Sequence, residues 1–169
     1  MPLIKSISGI RGTIGGKPSE TLSPVDTVKF TAAFGMMLLE NHTDSSCNLK
    51  IVIGRDGRIS GAMISSLVTN TLIGLGIDVV DLGLSTTPTV EVAVKMEKAD
   101  GGIILTASHN PKEWNALKLL NADGEFISAA QGAIVLEKAA KEDFVFASVD
   151  KLGSYTQDKK KKKKHIDAI

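Results

Sequence analysis

The feature that most restricts the fold is an alternation of short apolar runs with longer stripes at helical spacing. Lys50-Ile51-Val52-Ile53-Gly54 is a β-branched run stopped by glycine, Ile77 to Leu82 is a second run, and Gly102-Ile103-Ile104-Leu105 is a third. Runs of this length and composition read as buried strands. Ser23-Pro24 reads as an N-cap with proline at the first helical position, followed by Val25, Val28, Ala32, Met36 and Leu39 at helical spacing. Ile59, Met63, Ile64, Leu67, Val68, Thr71, Leu72 and Leu75 form a second stripe, closed by Gly74 and Gly76. A third helix or mixed segment follows Pro88, Ala116 to Leu120 reads as a short fourth strand, and Ala129 to Ala140 as a fourth helix. Strands alternating with amphipathic helices predict an α/β fold, a mainly parallel or mixed sheet sandwiched between helices. In such sheets ligands gather beyond the carboxyl ends of the strands.

Size and charge narrow the function classes. At about 150 residues per domain, 169 residues make one domain, or one and the start of another. We expect residues 1–158 to be the domain and residues 159–169, with the run Lys159 to Lys164, to be a linker or tail and the start of the next domain. Six like charges repel one another and bury nothing, so the run is expected to be mobile and without a catalytic role. The chain holds 20 Lys+Arg and 19 Asp+Glu, but without those six lysines the balance is 14 basic to 19 acidic. A mildly acidic body argues against nucleic acid or an anionic membrane as partner. Aromatic residues make up 4% of the chain, too few for a base-stacking platform. Cys47 is the only cysteine, which excludes an internal disulfide and a cysteine-based zinc cluster. No apolar stretch reaches membrane-spanning length and the N-terminus has no leader pattern, so a cytoplasmic location is expected.

Two polar loops follow predicted strands. Thr106-Ala107-Ser108-His109-Asn110-Pro111 lies behind the third, with the proline disfavouring helix at Asn110. It reads as a polar turn, as a Ser-His hydrolase site without the G-x-S-x-G elbow, or as a loop whose serine accepts a phosphoryl group. The third reading needs cations. Ser8-Gly9-Ile10-Arg11-Gly12 is expected to be a loop that presents Arg11 beside a backbone anion nest. Gly54-Arg55-Asp56-Gly57-Arg58 sets two guanidiniums, planar forks suited to phosphate, around a carboxylate. Neither nucleotide-binding glycine fingerprint is present, and His42, His109 and His165 are too scattered for a metal site. Trp114 packs over the serine loop or covers the domain edge.

Together these segments resemble the α-D-phosphohexomutases, the family of phosphoglucomutase, phosphomannomutase and phosphoglucosamine mutase. T-A-S-H-N-P at Thr106 to Pro111 resembles the family's phosphoserine loop, Gly9-Ile10-Arg11-Gly12 its N-terminal G-I-R-G segment, and Gly54 to Arg58 its G-R-D-x-R motif. Gly83-Leu84-Ser85-Thr86-Thr87-Pro88 resembles its G-x-x-x-T-P turn, and the four motifs stand in the family's order across nearly all of residues 1–150. Where the family has N-G-x-K, this chain has Asn115-Ala116-Leu117-Lys118, with alanine in a place where glycine's backbone freedom is usual.

The resemblance implies the first of four domains, and reversible movement of phosphate between O1 and O6 of a hexose. Phosphorylated Ser108 would give its phosphoryl group to the sugar, forming a bisphosphorylated intermediate that returns the other phosphate. It implies Ser108, His109, Lys118 and Arg11 as catalytic residues, with Asn110, Asn115, Arg55 and Arg58 supporting the phosphate loop. Mg2+ would be held through phosphorylated Ser108 and aspartates of another domain, and glucose 1,6-bisphosphate would act as activator. The implied partners are a hexose phosphate and the C-terminal domains. Without those domains the chain is expected to fold, to self-associate weakly and not to turn over substrate. Threonine at position 106 leans toward glucose or mannose phosphates over glucosamine phosphate. The alternatives are a phosphoglucosamine mutase or a non-catalytic sugar-phosphate-binding or regulatory module.

Overall fold

The computed structural model describes residues 3–6, 9–44 and 46–158, so the lysine run, Ser8 and His165 lie outside the described residues. The elements run β1 (Ile4–Ser6), β2 (Gly9–Thr13), α1 (Pro24–Glu40), β3 (Lys50–Arg55), α2 (Gly61–Gly74), β4 (Asp78–Leu84), α3 (Thr87–Met96), β5 (Gly101–Leu105), β6 (Trp114–Leu120), α4 (Ala129–Lys141) and β7 (Tyr155–Gln157). Three of the helices start where local chemistry dictates. Ser23 caps α1 in a reciprocal box with Asp26, Thr86 accepts from the Thr89 N–H at the head of α3, and Ser128 caps α4 in a box with Gln131. The segment after Pro88 is therefore fully helical, because proline at the first turn and a threonine cap outweigh its β-branched valines.

All seven strands form one sheet, in the order β1-β2-β6-β5-β3-β4-β7. The sheet is mixed. β3 pairs in parallel with β4 and β5, and β4 with β7, whereas β6 runs antiparallel to both β5 and β2, and β1 antiparallel to β2. The antiparallel half makes this the mixed form of the sheet expected from the sequence. It corrects the view of Gly9 to Gly12 as an anion-nest loop, since this segment is strand β2, laddered on β6. Glycine is required there by close approach: a Cβ at Gly9 would lie 2.3 Å from the Leu117 carbonyl oxygen.

Side chains alternate across the central strands with period two. Ile51, Ile53, Ile103, Leu105, Leu117 and Leu119 share a core with α1, α2 and α4; Val52, Val80, Leu82, Ile104 and Leu120 share another with Val90, Ala93 and Val94 of α3. Each fully buried aliphatic side chain contributes about 1.5–3 kcal/mol, so both faces stabilise the sheet. Two stripes read from the sequence differ from the packing. Helix α1 is buried through Phe30, Ala32, Ala33, Phe34 and Met37 while Val25 is exposed, because it packs against both α2 and α4. Ile59 precedes α2 and is 86% exposed, and Met63 on its first turn is exposed too.

The strand order positions the functional loops. With β5 between β3 and β6, the loops after β3 and β5 emerge side by side, and Asp56 N–H donates to the Leu105 carbonyl to tie them at 3.1 Å. Because β6 runs back antiparallel to β5, the serine loop is the connection between them.

Candidate active site

Ser108 stands exposed on the β5–β6 connection with φ of 53°, a left-handed conformation in a non-glycine residue. Such a conformation costs roughly 1–3 kcal/mol and persists only where its surroundings over-determine it. Three bonds supply that determination. The Ser108 N–H donates to Thr106 Oγ1 at 3.1 Å, its carbonyl accepts from Arg58 Nη2 at 2.9 Å, and its Oγ accepts from Lys118 Nζ at 3.0 Å. Asn110 tightens the turn, its Nδ2 donating to the Ala107 carbonyl at 2.7 Å and its own N–H to the same oxygen at 3.1 Å.

Arg58 is the clamp of the loop. Nη1 donates to the carbonyls of Pro111 at 2.7 Å and Trp114 at 3.0 Å, and Nη2 to those of Ser108 and Asn110 at 2.9 and 2.8 Å. Nε sits 3.4 Å from Asp56 Oδ2. A rigid planar fork suits this convergence of carbonyls, which a lysine ammonium on a flexible stem would not reproduce. Arg58 therefore holds the serine loop through its backbone, its fork occupied by carbonyls. Arg55 is half-buried at the end of β3, and its guanidinium donates to the Asp56 carbonyl at 3.4 Å, beside the head of α2. Asn115 is fully buried on β6, where Nδ2 donates to Ser60 Oγ at 2.9 Å; it fastens β6 to the head of α2 at a distance from Ser108. Ala116 lies in extended strand opposite Arg11, so alanine there strains nothing.

Lys118 is placed by the register of β6, opposite Gly9 on β2 and Ile104 on β5. From β6 its Nζ reaches the serine on the β5 side at 3.0 Å. Arg11 is exposed on β2 with its guanidinium carbon 5.9 Å from the ring centroid of half-buried Trp114, a cation–π contact. His109 is exposed next to Ser108. The structure thus brings Ser108, Lys118, Asn110 and Arg58 into direct contact, seats Arg11 on the neighbouring strand, and leaves Asn115 and Arg55 in structural positions. The sequence reading overlooked Thr106, whose hydroxyl donates to Asp56 Oδ2 at 2.5 Å while accepting from Ser108. Its place two residues before the serine, behind an apolar strand, was the available signal.

The fit to magnesium follows from the donor set. Magnesium takes six oxygens, and among the described residues no group of three or more His, Cys, Asp or Glu side chains could hold a metal. Asp56 is already committed to Thr106 and Arg58. Ser108 is suited to supply a ligand through its exposed oxygen, with the remaining oxygens coming from water, substrate or groups outside this chain.

Comparisons with known proteins identify the relatives of this chain. The family model for phosphoglucomutase/phosphomannomutase, alpha/beta/alpha domain I, matches residues 3–146. A phosphoglucomutase/phosphomannomutase of Thermococcus kodakarensis is 36% identical over 149 residues, 87% of this chain and 32% of that protein. A phosphoglucosamine mutase of Methanococcus vannielii is 41% identical over 120 residues, 71% of this chain and 26% of that protein. The chain therefore spans less than a third of either relative. Among solved structures, a putative phosphomannomutase from Thermus thermophilus superposes with a TM-score of 0.75 at 27% identity, over 95% of this chain and 34% of that one. By sequence and by fold, the chain belongs to the phosphoglucomutase/phosphomannomutase family and carries its alpha/beta/alpha domain I.

Proposed function

We propose that this chain is the phosphoserine domain of a phosphohexomutase, with Ser108 as the phosphoryl carrier and a hexose phosphate as substrate. The observation that carries the reading is the 3.0 Å contact between Lys118 Nζ and the Oγ of an exposed serine held in left-handed backbone. A phosphoserine adds about −1.5 to −2 charge near neutral pH, which Lys118 at the serine oxygen and Arg11, exposed on β2, would help to neutralise.

In the transfer, the P–O bond to Ser108 Oγ breaks as a new P–O bond forms to a sugar hydroxyl. The hydroxyl proton passes to a base, and the electron pair of the broken bond stays on Oγ. Lys118 donates to that oxygen and so stabilises the departing serine alkoxide, returning a proton to it when transfer is complete. In the reverse step the serine O–H proton returns to Lys118 as Oγ bonds phosphorus, the P–O bond to the sugar breaks, and His109, exposed beside Ser108, gives a proton to the leaving sugar oxygen. Arg58 and Asn110 hold the loop still, which matters because this chemistry depends on in-line positioning more than on covalent help. Bound Mg2+ would neutralise charge on the phosphoryl oxygens.

The relatives spread over phosphoglucomutase/phosphomannomutase and phosphoglucosamine mutase, and Thr106 favours a glucose or mannose phosphate. A coupled assay of the enzyme completed by the family's remaining domains tests the reading. We expect interconversion of hexose 1- and 6-phosphates that Ser108→Ala abolishes; full flux in Ser108→Ala would refute it.

A further inference from the structure

The Ser108 loop carries one arrangement that the phosphoryl-transfer reading does not by itself require. We infer that Asp56 and Thr106 form a positioning relay that fixes the backbone of Ser108 and thereby the aim of its Oγ. The inference deepens the proposed function and rests on it only for the second of its two readouts.

A threonine hydroxyl has a single proton to give. Thr106 is 9% exposed, and its hydroxyl gives that proton to Asp56 Oδ2 at 2.5 Å. The lone pairs of Oγ1 are then turned toward the Ser108 N–H, which they accept at 3.1 Å. Asp56 is itself fixed from three sides. Its N–H donates to the Leu105 carbonyl, its Oδ1 accepts the Arg58 N–H at 3.2 Å, and its Oδ2 lies 3.4 Å from Arg58 Nε. The carboxylate is thus placed by the β3–β5 pairing, the hydroxyl by the carboxylate, and the serine amide by the hydroxyl. The Ser108 carbonyl is held by the same Arg58 that faces Asp56. With N–H and C=O both anchored, the φ of 53° is fixed and Oγ meets Lys118. Without the Thr106 hydroxyl, the serine amide would lose its acceptor and the left-handed backbone one of its restraints. Thr106 and Asp56 touch no reacting atom in this arrangement; they act through Ser108.

The test compares Thr106→Val, which keeps the buried shape without the hydroxyl, with Thr106→Ser, which keeps the hydroxyl, and adds Asp56→Asn, which removes the charge. The first readout is hydrogen exchange at the Ser108 amide in the whole 169-residue chain, followed by NMR. Exchange should quicken by about fivefold or more in Thr106→Val, the equivalent of one ordinary hydrogen bond, while amides of β3 and β5 keep their protection. Thr106→Ser should stay near the natural chain, and Asp56→Asn should fall between. The second readout is the rate at which Ser108 takes up phosphate from glucose 1,6-bisphosphate in the complete enzyme. A displacement of about 1 Å can cost on the order of a hundredfold in rate, so Thr106→Val should slow uptake by tens of fold with substrate affinity little changed, and Thr106→Ser should recover most of it. Should Thr106→Val fail to fold, the exchange and uptake of Asp56→Asn decide in its place. Equal exchange and equal uptake in valine and serine variants, or in Asp56→Asn and the natural chain, would overturn the relay. Phosphate found away from Ser108, with the exchange difference intact, would instead overturn the phosphoserine reading and leave the relay standing.

Discussion

The two ends of the sheet differ in charge balance. Beyond the carboxyl ends of β3 and β5, Arg58 and Lys118 bond Ser108, Arg11 stands exposed on β2, and the nearby carboxylate, Asp56, is bonded into the loop. Beyond their amino ends, Asp44, Asp78, Glu97 and Asp100 line a groove of about 800 Å³ with Lys50, Lys98, His42 and Cys47, so carboxylates outnumber ammonium groups there. That groove is ill-suited to a phosphate, because its carboxylates outnumber its lysines and Lys50 is already paired with Glu97 at 3.7 Å. Those carboxylates instead act as acceptors that terminate strands: Asp100 Oδ2 takes the Lys50 N–H at 2.9 Å, and Asp78 Oδ1 takes the Ser154 N–H at 2.9 Å. The contrast teaches that charge balance and backbone geometry, more than cavity size, distinguish the end we propose as the working one.

Substitutions at the two ends should therefore separate cleanly. The largest effect is expected from Ser108→Ala, which should abolish phosphate uptake while the far-ultraviolet circular dichroism stays unchanged. Lys118→Met keeps the aliphatic stem but removes the donor to Oγ, and should slow uptake by about 10²- to 10³-fold, the usual cost of one donor at a developing charge. Arg58→Lys should slow uptake less, by about tenfold, and should lower stability by about 2 kcal/mol in urea denaturation, because several carbonyl contacts are lost together. Asp100→Asn, at the acidic end, should leave uptake unaltered and cost at most about 1 kcal/mol. An uptake defect in Asp100→Asn as large as that of Lys118→Met would erase the distinction between the ends.

The smallest effect concerns the edge of the sheet. Tyr155 is the one tyrosine of the chain, and its hydroxyl donates to Asp81 Oδ2 at 2.7 Å. Burial first, and then the bond to Asp81, raise its phenol pKa above the usual 10.0. A raised folded-state value means that the neutral phenol stabilises β7 below about pH 10, and that this contribution is lost as pH climbs through the raised value. An ultraviolet titration should place its midpoint above that of free tyrosine, and Asp81→Asn should bring the midpoint back toward it.

Much of this site was legible before the fold, for identifiable reasons. β3 and β5 are buried on both faces and so read as continuous apolar runs, which located the two loops that follow them. Ser23-Pro24 announced α1 because a capping serine followed by proline has few other uses. β1, β2 and β7 were illegible: Gly9-Ile10-Arg11-Gly12-Thr13 carries two glycines and a charge, and only its pairing with β6 makes it a strand. The same non-local pairing hid the geometry of Lys118, which meets Ser108 ten residues away through a chain reversal. Arg58 was legible as loop support, but its use of backbone carbonyls was not, since carbonyl positions leave no mark in residue identity.

The central claim is that the serine at the cationic end carries phosphate. The direct measurement is to incubate the complete enzyme with glucose 1,6-bisphosphate, digest it, and locate the added phosphate by mass spectrometry. The account predicts a single phosphate on the peptide containing Ser108, absent in Ser108→Ala and much reduced in Lys118→Met. Phosphate on Ser6, Ser8 or Ser60, or undiminished labelling in Ser108→Ala, would contradict it.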